Sequence, residues 1–139
     1  MAGPAYRVAH LDDLPEFRSP DGEELDHRFL MVRRHLGIRS FDVNAMVAAA
    51  AGDTIVGEHS ELAEGSPHEE LYYVARGQAE FTVDGETVDA PEGTFVYVPD
   101  PATVRSAVAR AAETVVIGIG GEPGAVFAPS SWEDAWAGA

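Results

Sequence analysis

The chain has no cysteine among its 139 residues. That excludes a disulfide framework and a zinc site built on thiolates. Positive charge is scarce. Nine basic residues stand against 24 acidic ones, giving a formal net charge of −15. Nucleic acid and anionic membrane surfaces both call for a positive face, so neither is expected as a partner. Long hydrophobic runs are missing too. The longest apolar stretch, Ala45 to Ala51, is alanine-rich and far short of the roughly 18 residues of a membrane span. The opening MAGPAYRVAHLDDLP has no basic region followed by an apolar run, so no signal peptide is expected and a cytoplasmic location follows by default. There is no nucleophile elbow, P-loop or dinucleotide fingerprint. The glycines of GIGG, Gly118 to Gly121, precede no helix pattern that would complete a phosphate cradle.

What is present points to β structure. The length suits one domain, 1–139, with a single core. Residues 1–28 carry Pro4, Pro15 and Pro20 and little periodicity, and read as an N-terminal arm with a short strand at Tyr6 to Ala9. Asp13 to Pro15 suits a turn or the start of a helical turn. Strands are expected over Phe29 to Arg34, Phe41 to Ala51, Thr54 to His59, Glu70 to Ala75, Gln78 to Val83, Glu86 to Asp89, Thr94 to Val98, Val104 to Ala109 and Thr114 to Ile119. Asp84-Gly85 is a strong hairpin signal. Short strands with turns every 8–12 residues mean an antiparallel sandwich or barrel. Phe81, Val83, Val96, Val98 and Val115 are its expected core. Near the C-terminus, Ser130 with Glu133 forms a capping-box pattern, and a short helix is expected over 130–137 with Trp132 and Trp136 packed on the barrel.

The segment HEELYYVARG, His68 to Gly77, followed by APEG, Ala90 to Gly93, is similar to the two signature motifs of the cupin family. Glu70 and Gly77 have the spacing that ends the first motif, and Gly85, Pro91 and Gly93 fit the opening of the second. The resemblance covers about Gly52 to Gly120. It implies an all-β, single cupin-type antiparallel β-barrel (a jelly roll, about residues 29–120). It also implies a mouth that usually holds a metal, a small-molecule ligand, and a homodimer built through the N-terminal arm and outer strand faces such as that of Tyr73.

The usual metal ligands are depleted. The two histidine positions ahead of Glu70 carry Glu64 and Ser66, and no histidine follows His68. At the second-motif histidine position the sequence reads Thr103-Val104-Arg105. The nearest substitute for the first pair is His59 with Glu61. Side chains two apart share a strand face, so His59 with Glu61 and His68 with Glu70 form one candidate set. Such a set would hold one divalent transition metal, Fe, Mn, Ni or Zn. In the other reading Glu70 pairs with Arg105 inside the barrel, because a buried charge needs a partner. A small polar ligand, such as an anion countered by Arg105, would then lie against Glu70, Tyr72 and Arg105. Two functions remain open: a small-molecule-binding cupin, or a metal-dependent enzyme such as a small dioxygenase or isomerase. The fold alone does not choose. His10, His27 and His35 read as surface residues, and Arg33, Arg34 and Arg39 as a solvated or salt-bridged basic cluster.

Overall fold

The computed structural model describes residues 5–17, 25–62, 67–130 and 132–133. Among these residues nine strands are arranged in two antiparallel sheets: β1 (Arg28–Leu30), β2 (Asp42–Ala48), β3 (Thr54–His59), β4 (Glu69–Arg76), β5 (Gln78–Val83), β6 (Glu86–Pro91), β7 (Phe95–Val98), β8 (Arg105–Ala109) and β9 (Thr114–Gly121). One sheet has the order β1-β2-β9-β4-β7 and the other β3-β8-β5-β6. The sheets face each other as a jelly-roll sandwich, the architecture the sequence implies.

Local chemistry explains the tight corners. Asp84 and Gly85 join β5 to β6 with φ of 52° and 78°, as a two-residue type I′ turn requires. Gly77, between β4 and β5, takes φ 81°. A Cβ there would come within 2.4 Å of Thr114 Oγ1, so no side chain fits.

The interior between the sheets is filled by Ile55, Val74, Phe81, Val98, Ala107 and Val116, among others. Of the expected core, Phe81 and Val98 are fully inside, and Val83 and Val96 pack against them half-buried. Val115 faces the other way. It belongs to a second cluster with Leu14, Leu30, Ala45 and Val47 on the outer face of the five-stranded sheet. Leu11 and Ala9 pack there as well, so the N-terminal arm lies on its own sheet. β2 is consequently covered on both faces and is buried along nearly its whole length, which explains its almost continuous apolar run.

Three expectations change. Residues 6–10 pair with no strand. The arm instead forms a 3-10 turn, Leu11–Asp13, capped by the His10 side chain, and one bridge from Glu16 to Leu30. The strand expected over Phe29 to Arg34 stops at Leu30 and gives way to a helix, α1 (Val32–Leu36), closed by Gly37. Leu and Arg are good helix formers, and the basic side chains sit in the last turn, where the helix dipole favours them. Arg33 also leaves the expected surface cluster. It is 7% exposed and donates from Nη2 to Glu133 Oε1 at 2.8 Å. Glu133 therefore serves as a buried counter-ion. The helix expected over 130–137 lies largely outside the described residues, which there are Ser130, Trp132 and Glu133. Among the described residues no helix is long and apolar enough to cross a membrane.

Candidate functional site

The strand register sets the site. In the five-stranded sheet, Asp42 stands opposite Gly120 and Gly120 opposite Glu70. One step along, Asn44, Gly118 and Tyr72 form the next row. The two glycines leave the middle strand bare between polar side chains on β2 and β4. A cavity of about 400 Å³ opens there, within the range of small-molecule sites. Its other walls are β3 from Ile55 to His59, the following Ser60 and Glu61, and an aromatic group of Phe17, Phe29 and Trp132. These three rings meet edge to face at centroid distances of 5.2–6.0 Å.

Five of the residues singled out in the sequence, His59, Glu61, Glu70, Tyr72 and Arg105, meet at the polar end. His59 Nε2 lies 2.9 Å from Glu61 Oε1 and 3.8 Å from Glu70 Oε1. Arg105, paired with His59 across β8 and β3, reaches Glu70 Oε1 with Nη1 at 2.9 Å and lies 3.6 Å from Glu61 Oε1. Tyr72 also donates its hydroxyl to Glu70 Oε1. His68 precedes β4, and its buried side chain lies against Phe127, so it is not among the groups that meet here. Arg105 is fully enclosed and does not line the cavity. It works from behind Glu70.

The electrostatics follow from these contacts. Burial alone would lower the His59 pKa, but its bonds to Glu61, Glu70 and Gly57 outweigh that and raise it to about 10. Burial would raise Glu70. The bonds from His59 and Tyr72, with the charges of His59 and Arg105, hold it below the usual range instead. Burial and the Glu70 charge push the Tyr72 hydroxyl well above its ordinary value, so it stays a donor. At the other wall, burial and the charge of Glu133 raise Asp42 to about 7. Burial lowers His27, despite its contact with Thr54 O. His27 lines the cavity rather than the outer surface.

His59, Glu61 and Glu70 present ligand atoms within 4.8 Å of one another, close enough for one metal ion. The donor set argues against that occupant in this arrangement. Nδ1 of His59 faces Gly57 O at 2.7 Å and Nε2 faces a carboxylate at 2.9 Å. Both partners accept, so both ring nitrogens carry protons and neither has a lone pair free for a metal. With Arg105 beside them, two carboxylates are already matched by two cations.

The residues missed from sequence are Asp42, Asn44, Gly118, Gly120 and the aromatic wall. Two polar residues spaced by two in an otherwise apolar β2 were the available signal. The glycines were visible, but only the sheet register shows what their bareness is for.

A family model described as "Cupin domain" matches residues 49–117, the span that supplies β3 to β8 and nearly all of this polar cluster. The chain is a cupin. No curated protein matches it in sequence. Solved structures agree on the fold. A sugar phosphate isomerase of the cupin superfamily from Silicibacter pomeroyi aligns at 15% identity, over 84% of this cupin and 76% of that chain, with TM-score 0.65. KdgF from Halomonas sp. aligns at 18% over 77% and 93%, with TM-score 0.57. A protein named in the same way as the first, from Acidithiobacillus ferrooxidans, aligns at 20% over 69% of this cupin, with TM-score 0.55, and this cupin spans only 59% of its length. At such identities these neighbours establish the fold and nothing finer.

Proposed function

We propose that this cupin binds a small molecule in the cavity between its sheets and does so without a metal. The observation that carries the reading is the closed charge of the polar end. A doubly protonated His59 and an enclosed Arg105 neutralise Glu61 and Glu70, which is the task a metal would otherwise perform. Arg105 holds Glu70 in place, and Glu70 and Tyr72 present fixed polar atoms to whatever enters. The sugar phosphate named for two neighbours is not carried over, because no arginine lines the cavity among the described residues and the chain has no lysine. An anion countered by Arg105 does not fit either, because that guanidinium is enclosed behind Glu70.

A second reading, a metal-dependent cupin, is favoured by one observation, the grouping of His59, Glu61 and Glu70. A metal there would be held by those three residues and would supply Lewis-acid chemistry. Binding it requires His59 to give up a proton. Elemental analysis of the purified protein, with denaturation of Arg105→Ala and His59→Ala, separates the two. The metal-free reading expects no stoichiometric metal. It also expects Arg105→Ala to cost about 3–5 kcal/mol by leaving buried carboxylates unpaired, with a smaller loss for His59→Ala. One metal per chain, lost in His59→Ala, would establish the second reading instead.

The assembly we propose is a homodimer through the outer face of β4 and β7. In support, Tyr73 stacks on Phe95 at a centroid distance of 4.5 Å. Phe95 and Tyr97 stay 65% and 54% exposed beside a sheet whose far half is covered by the arm.

A further inference from the structure

The cavity has a consistent chemical bias. Its ionisable lining consists of Asp42, Glu58, Glu61 and Glu70, together with His59, whose protons are spent on Gly57 and Glu61, and His27. Asn44 is 7% exposed, and its Oδ1 has no hydrogen-bond partner. Its amide nitrogen turns toward Asp42 Oδ1 at 3.4 Å, and the oxygen itself is enclosed rather than open to the cavity. Arg105 Nη2 is unpartnered too, but that side chain is enclosed and out of the cavity's reach. The opposite side of the cavity is apolar and aromatic: Phe17, Phe29 and Trp132, with Met46 and Ile55. Aromatic faces beside carboxylates are a favourable setting for a desolvated cation.

We propose that the cavity selects a small organic cation. Its ammonium group lies over the bare backbone of Gly118 and Gly120, between Asp42 and Asn44 on one side and Glu70 on the other. Its apolar body lies against Phe17, Phe29 and Trp132. This rests on the metal-free binding reading above and adds the ligand's chemical class. The ammonium brings positive charge to a lining whose four carboxylates, Asp42, Glu58, Glu61 and Glu70, exceed the charges of His59 and the enclosed Arg105, and a net charge of −15 on the chain favours approach of cations over anions.

Three probes of nearly one shape test the idea: 2-phenylethylamine, 2-phenylethanol and phenylacetate. Each is titrated at pH 8 into the full chain by calorimetry, with the Gly118 and Gly120 amides followed by NMR to locate binding. The amine is expected to bind saturably and shift both amides, at least about tenfold more tightly than the alcohol, and phenylacetate not at all. Asp42→Asn, checked for an intact fold by its NMR spectrum, is expected to weaken the amine several-fold and leave the alcohol unchanged. If the alcohol or phenylacetate shifts those amides as strongly as the amine, the cation class is overturned while the cavity-binding reading stands. If no probe binds up to about 10 mM, far weaker than the millimolar affinity such fragments reach in matched sites, both fall.

Discussion

Asp42 is the residue whose charge is least settled by its surroundings. Its side chain is 18% exposed, and its nearest cation, Arg33, is 4.0 Å away and bonded to Glu133 at 2.8 Å. Burial and the Glu133 charge raise its pKa from 3.8 to about 7. A raised carboxylate pKa means the folded state holds a proton that the unfolded chain releases. Stability therefore declines as pH climbs from about 4 through about 7, and the penalty persists above that. Asp42→Asn removes the ionisation. At pH 8 it is expected to stabilise the protein by about 1–3 kcal/mol, and at pH 4 to change little. Urea denaturation at the two pH values checks this, and a variant less stable than wild type at pH 8 would show that the carboxylate is compensated after all. Arg105 works in the opposite sense. Hydrogen bonds from His59 and Tyr72, with the charges of His59 and Arg105, outweigh burial and hold the Glu70 pKa below the usual range.

At the scale of the strand, β9 carries the device that makes the cavity. Gly118 and Gly120 face inward from the middle of a five-stranded sheet, where bulky residues would ordinarily pack. Their surroundings differ. A Cβ at Gly118 would meet Met46 Cε and the Tyr72 ring at 3.6 Å, ordinary contact, whereas one at Gly120 would come 2.9 Å from the Glu69 carbonyl oxygen. Gly118→Ala is thus expected to be neutral or to stabilise by about 0.4–1 kcal/mol through the unfolded chain. Gly120→Ala is expected to destabilise, because backbone rather than a flexible side chain must yield. Denaturation midpoints of the two variants decide the matter, and equal midpoints would mean that β9 does not press on β4 as described. β4 shows the complementary pattern, with Glu70, Tyr72 and Val74 inward and Tyr73 outward beside Phe95.

The whole molecule presents an uneven outer surface. The arm and α1 cover the β1–β2–β9 side of the large sheet with Leu11, Leu14 and Val32, while the β4–β7 side keeps Phe95 and Tyr97 exposed. If that strip is a subunit contact, light scattering will give twice the 14.8 kDa chain mass, and Phe95→Glu will return the monomer. Each copy carries a charge of −15, so the pairing should strengthen with salt as repulsion is screened. A monomer at micromolar concentration in physiological salt would count against the dimer.

Much of the fold was legible in the sequence because its causes are local. β3 and β5 fall on the expected residues, and the Asp84-Gly85 corner follows from backbone angles that Gly supplies at no steric cost. Side-chain alternation separates the two faces of each strand, but it does not say which face turns inward when both are covered, and Val115, buried as expected, lies in the cluster on the outer face of the large sheet. The meeting of His59 and Glu61 with Glu70 and Arg105 was half visible, through motif spacing. The cavity itself belongs to the tertiary structure. Its walls come from Phe17, Phe29, Asp42, Glu70, Gly118 and Trp132, residues far apart in the chain that only the packing of two sheets and both terminal segments brings together. The sequence determined which chemical groups were available: it supplies no thiolate and no apolar run long enough for a membrane-spanning helix. Which protons and charges those groups hold depended on distances of 3–4 Å across the sandwich, since electrostatic and hydrogen-bond energies change steeply over that range.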